Sequence, residues 1–197
     1  MALPTGFAPR LAGVAAAEFA AYGEGRAADA DFADRIRSYW RGSGMGGCDA
    51  TAPWSAAFIS WCVQQAGATA GDFLTSSRHA AYVYRAIRDA RACRGCFRGM
   101  PCDAAPLLPG DILQFNQPGG GFDFSHAERH AQYPSEAAIV VAVVRDGQGQ
   151  AALMVGGCDG MRLSRRRVDL DGDGRIAARA GHGFIALVRP VAEAAGS

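Results

Sequence analysis

The order of hydrophobic patterns predicts an α+β domain in which helices come first and an antiparallel sheet follows. Two observations carry this: apolar residues recur at three-and-four spacing up to about residue 90, and short β-branched runs separated by turn residues take over from Asp111. A third is size: 197 residues, 49% of them hydrophobic, are enough for one core, so residues 1–197 read as a single domain. Within it, 1–52 supply N-terminal helices and a lead-in, 53–92 a helix pair, and 109–190 the sheet.

Leu11, Val14, Ala15, Phe19 and Tyr22 share the face of a first helix that Gly23 ends. Phe32, Ile36, Tyr39 and Trp40 mark a second, and Gly42 to Gly47 form a flexible lead-in with Asp49 or Thr51 available as a cap. In the third, Trp54, Ala57, Phe58, Trp61, Cys62 and Ala66 form the buried face, with Pro53 in the first turn and Gly67 as terminator. Ser55 therefore sits beside unpaired backbone N–H groups at the positive end of the helix dipole, a seat that favours developing negative charge. It is a candidate nucleophile, or a small polar residue at a helix start.

Ser76 and Ser77 can cap a fourth helix whose stripe holds His79, Tyr82, Val83, Ala86, Ile87 and Ala90. His79 is then either a hydrogen-bonded core histidine or a base facing Ser55. Cys93, Cys96 and Cys102 fall in a loop where no second C-x-x-C completes a zinc site, so plain thiols or a local disulfide are the expectation. Asp111 to Phe115, Ala137 to Val144, Ala151 to Val155, Met161 to Val168 and Phe184 to Val188 read as strands, with turns at Asp146-Gly147 and Asp171 to Gly174. The long connection Asn116 to Ser135, which carries His126 and His130, has the length of a lid.

Charge excludes some partners. The net charge is +1, all twenty basic residues are arginine, and nothing favours nucleic acid or an anionic membrane. No stretch reaches membrane-spanning length, and Met1 to Tyr22 lacks the basic start of a secretory signal. No cofactor or metal is expected: Asp169 to Gly174 begins like a calcium loop, but its twelfth position is Ala180, so it reads as a hairpin turn. Arg162, Arg165, Arg166 and Arg167 read as a solvated strand face or an anion-binding one.

The segment Pro53-Trp54-Ser55-Ala56-Ala57-Phe58-Ile59-Ser60-Trp61, followed by Gln65-Ala66-Gly67, resembles the nucleophile helix of papain-like bacterial cell-wall amidases and peptidases, the cysteine- and histidine-dependent amidohydrolases. Its serine version is closer to an uncharacterised bacterial domain-of-unknown-function family related to them. The likeness runs on through Ser77 to Tyr82 and Pro109 to Ile112, spanning about Phe19 to Val188. It implies a papain-like fold, hydrolysis of peptide or amide bonds in peptidoglycan, a peptide-like partner, and a periplasmic or extracellular location.

By the same resemblance the base should open the central strand, where this chain has Glu136, and the orienting residue should follow a Gly-Gly, where it has Cys158. A carboxylate of ordinary pKa near 4 is a poor base toward a hydroxyl unless burial raises it by roughly two or three units. The remaining candidates are His79 from the neighbouring helix, His126 or His130 from the loop, and Cys158 as itself the reactive group. Two functions follow: a hydrolase with Ser55 as nucleophile and a histidine as base, or a binding module that uses the same cleft without turnover.

Overall fold

The computed structural model describes residues 3–23, 25–46, 49–158, 162–177 and 183–191, and of Cys158 only the backbone. Among these, five helices and six strands form a mixed α and β architecture: α1 (Phe7–Tyr22), α2 (Ala30–Gly42), α3 (Ser55–Gln65), α4 (His79–Arg91), β1 (Phe97–Met100), β2 (Ile112–Phe115), α5 (Phe124–Ala127), β3 (Glu136–Asp146), β4 (Gly149–Cys158), β5 (Arg162–Asp169) and β6 (Phe184–Pro190). The strands make one sheet in the order β1-β6-β2-β3-β4-β5, every neighbouring pair antiparallel. No described helix is long and apolar enough to cross a membrane.

Both faces of the sheet are covered. Residues alternate along β3: Ala137 and Ile139 join the larger core under the helices, whereas Ala138 and Val140 join a second cluster with Leu107, Leu113, Met154 and Ile176. Two-sided burial explains why the middle of the sheet reads as continuous apolar runs instead of alternating ones.

Helix α3 lies at the centre of the helical layer. Ala56 through Val63 are all buried, so the helix expected to have one buried stripe is in fact buried all round, with Ser60 the polar residue among them, as a helix enclosed between other helices and a sheet must be. Its start is held by Trp54, fully buried, whose ring meets Phe32 edge-on at 5.5 Å and Tyr39 at 6.1 Å. Below it a polar knot joins three helices. Tyr39 donates to the buried Glu18 carboxylate at 2.7 Å, Arg35 Nε donates to the same group at 2.8 Å, and the Arg35 guanidinium stacks over Trp61 at 4.5 Å.

Two elements lie where only loops were expected. β1 pairs with β6 beside the cysteine loop, and Gly99 lets it approach α4: a Cβ there would stand 2.5 Å from Ile87 Cγ1. The short α5 interrupts the long loop, capped by the Asp123 side chain, which accepts from the His126 N–H at 2.7 Å. Four residues of strand and four of helix carry too little periodicity to be seen in a sequence.

The Asp169 to Gly174 segment forms a turn: Asp171 Oδ1 accepts from the N–H groups of Asp173 and Arg175, and Leu170 bridges to Ile176; Ala180 lies outside the described residues. Cys93, Cys96 and Cys102 are thiols, and Cys96 donates to Asp72 Oδ1 at 3.4 Å. The arginine run on β5 is largely occupied. Arg165 lies over the Phe19 ring, Arg166 over the Phe115 ring, and Arg167 pairs with Asp146 and Asp169.

Candidate active site

Ser55 is the first residue of α3, half-buried, and its Oγ lies 3.1 Å from Nε2 of His79, the first residue of α4. Two helix starts meet here because the loop between them is tied down. Ser60 Oγ on α3 donates to the Ser76 carbonyl at 3.3 Å and accepts the Ser76 N–H at 3.2 Å, and Ser76 Oγ accepts the Arg78 N–H at 3.0 Å. Arg78, not Ser76 or Ser77, is the N-cap of α4 and no side chain caps it; Ser76 instead holds the N–H of Arg78 from two residues ahead.

The other ring nitrogen fixes the tautomer. His79 Nδ1 is 2.8 Å from the backbone carbonyl of Ser135, and a carbonyl can only accept, so Nδ1 carries the hydrogen. In the neutral ring Nε2 is then a lone pair facing the Ser55 hydroxyl, which donates to it. Burial pushes the imidazole down to about 4, against a smaller upward pull from the Ser135 carbonyl. The ring is therefore neutral at pH 7, poised to accept a proton, while the same burial makes it a weaker acceptor than a solvated imidazole.

Strand β4 closes the other side. A Cβ on Gly157 would stand 2.7 Å from Ser55 Cβ and 2.8 Å from its Oγ, so the backbone passes where no side chain fits. The serine opens into a cleft of about 1010 Å³ whose walls include Trp40, Pro53, Arg78, Tyr133, Glu136 and Gly157. The first N–H groups of α3 have no acceptor within the helix, and Ala56 lines the cleft beside Ser55. Hydroxyl, neutral imidazole, orienting carbonyl and helix-terminal N–H groups form a set able to activate an oxygen nucleophile.

A family model described as an uncharacterized protein conserved in bacteria, DUF2272, matches residues 20–189. The chain belongs to the DUF2272 family. No curated protein and no solved structure matches it.

The other candidates of this DUF2272 chain are placed differently. Glu136 opens β3 and lines the cleft, but its carboxylate accepts from Arg166 Nη2 at 3.2 Å, which makes it one half of an ion pair. His126 is on α5, outside the cleft lining; its ring stacks on His130 at 4.1 Å and meets Phe122 at 4.5 Å and Tyr133 at 4.9 Å. Desolvation, then the neighbouring His130 and Arg129, hold its pKa below the usual value. Cys158 ends β4 opposite Arg162, and its side chain lies outside the described residues.

Three contributors escaped the sequence reading. Gly157 was visible only as half of a Gly-Gly pair. Ser135 acts through its carbonyl, which every residue type possesses and which therefore leaves no signal. Gln114, fully buried between Leu113 and Phe115, was open to notice as a polar residue in an apolar strand.

Proposed function

We propose that the chain is a serine-dependent amidohydrolase that cleaves amide bonds of peptidoglycan peptides, with Ser55 as nucleophile and His79 as base. The observation that carries this reading is the 3.1 Å approach of Ser55 Oγ to His79 Nε2 at the wall of an open cleft. In the first step the Ser55 proton passes to Nε2 while Oγ bonds to the substrate carbonyl carbon, whose oxygen takes up the negative charge beside the start of α3. Collapse breaks the C–N bond, and the departing amine takes the proton from Nε2. A water then repeats the sequence on the acyl-serine, with His79 again accepting and returning the proton. The choice of peptidoglycan rests on the resemblance of the Pro53 to Trp61 segment to papain-like wall amidases.

His79 has a neutral carbonyl where such sites often hold a carboxylate, so its imidazolium gains no charge–charge stabilisation from that side and turnover should be slow. The test is incubation of the protein, and of Ser55→Ala, with purified muropeptides and with an activated phosphonate probe that phosphonylates reactive serines. The expected result is fragment release and a single adduct on Ser55, both absent from the variant. No release and no adduct with the parent protein would overturn the reading.

The weak basicity of His79 favours one second reading, a module that binds wall peptides in the cleft without cutting them. Saturable muropeptide binding with no product and no Ser55 adduct would establish it in place of the first.

A further inference from the structure

His79 depends for its orientation on one backbone carbonyl, and that carbonyl belongs to the last residue of a twenty-residue connection, Asn116 to Ser135. Ser135 is buried and directly precedes β3, whose first residue Glu136 pairs with Phe115, so the sheet anchors it on one side while on the other it continues into the loop. Here it is held from the side. Gln114, on β2 and without solvent exposure, donates from Nε2 to Ser135 Oγ at 2.9 Å, and its Oε1 accepts the Tyr133 hydroxyl at 3.0 Å. One amide thus grips both residues flanking Pro134, and every link from Tyr133 through Gln114 and Ser135 to His79 and Ser55 is within hydrogen-bond distance.

We propose that Gln114 is a positioning residue that, by holding Ser135 and Tyr133, fixes which nitrogen of His79 faces Ser55. Three features support this. A wholly buried glutamine in a four-residue strand between Leu113 and Phe115 is costly unless its amide is used, and both of its ends are used here. Tyr133 lines the cleft and its ring packs on Phe122 and His126, at 5.0 and 4.9 Å, so Gln114 links the loop's aromatic cluster to the residue that holds the imidazole. Strand β2 lies inside the sheet between β3 and β6, which makes it a rigid place from which to hold a loop.

The inference rests on His79 serving as the base, and its test is read without turnover. In protein with ¹⁵N-labelled histidine, the parent should show one His79 tautomer, hydrogen on Nδ1. Gln114→Leu, which leaves the Ser135 and Tyr133 hydroxyls without their buried partner, should show a mixture of tautomers and lose at least about tenfold in the rate of Ser55 labelling, because small displacements of a base are expensive. Gln114→Glu offers acceptors to both hydroxyls and should restore the single tautomer. A folded Gln114→Leu that keeps the parent spectrum would overturn the proposal. If that variant does not fold, Tyr133→Phe, which deletes one oxygen from a half-buried ring, should shift the spectrum in the same direction by less, and an unchanged spectrum would equally overturn it. A parent that labels no probe yet shows the tautomer response would count against the hydrolase reading and leave the role of Gln114 standing.

Discussion

His79 and His126 are both histidines near the start of a helix, and the structure treats them in opposite ways. His79 is buried, with one nitrogen on a carbonyl and the other on a hydroxyl. His126 is half-buried on a four-residue helix, its ring among other rings, and it does not line the cleft. What separates them is what lies behind each: α4, thirteen residues long, packs on β1 and β6 of the sheet, whereas α5 is a four-residue turn set in a long loop against β6 and α4. A base needs a fixed tautomer and a fixed distance, and only the first setting supplies both.

The largest effect that would break this contrast is on reactivity. His79→Ala should lower Ser55 labelling by about a hundredfold or more, the usual scale for losing a general base, while His126→Ala should stay within about twofold. Equal losses in the two variants, measured with the same phosphonate probe, would erase the distinction. Gly157→Ala should come next. Its methyl would fall 2.8 Å from Ser55 Oγ, so labelling should drop by an order of magnitude, with about 1–3 kcal/mol lost in urea unfolding as backbone or helix shifts to make room.

The two histidines should also differ in their pH dependence. A histidine of about 4 in the native state and near 6.5 unfolded contributes stability that is complete above pH 6.5 and declines as pH falls toward 4, because the unfolded chain takes up a proton that the native one refuses. The full difference is about 3 kcal/mol, and it should vanish from the stability-versus-pH curve of His79→Gln while His126→Gln retains it. The same value places the acid limb of the labelling rate near pH 4 instead of 6.5. The smallest effect belongs to the ion pair at the cleft wall. Glu136→Gln, opposite a partly exposed Arg166, should cost about 1 kcal/mol and leave His79 in one tautomer. A collapse of labelling in that variant would return the carboxylate to the list of bases.

How far these features were legible depends on how local they are. Pro53 to Ala66 read as a helix because its apolar residues and Gly67, with φ of 108°, act within a few turns of each other; the structure starts it at Ser55, with Trp54 as the N-cap and Pro53 ahead of the first turn. The β3 strand read as central because both of its faces are apolar. His79 was placed at a helix start by Ser76 and Ser77 ahead of it, but the partner of Ser55 could not be chosen among His79, His126, His130, Glu136 and Cys158. That choice depends on the Ser60–Ser76 contacts, which span sixteen residues, and on the His79–Ser135 contact, which spans fifty-six.

The sequence by itself determined the order of helices and strands and the seat of Ser55 at the head of an apolar helix, since each of these follows from neighbours along the chain; Glu136 and Cys158 entered as candidates only through the resemblance to a family. Only the tertiary structure decided that His79 takes the place beside the hydroxyl, that a backbone carbonyl orients it, and that Glu136 turns to an arginine. Those outcomes rest on distances between segments far apart in the chain, and a carbonyl or a glycine acts there through geometry that residue identity does not encode.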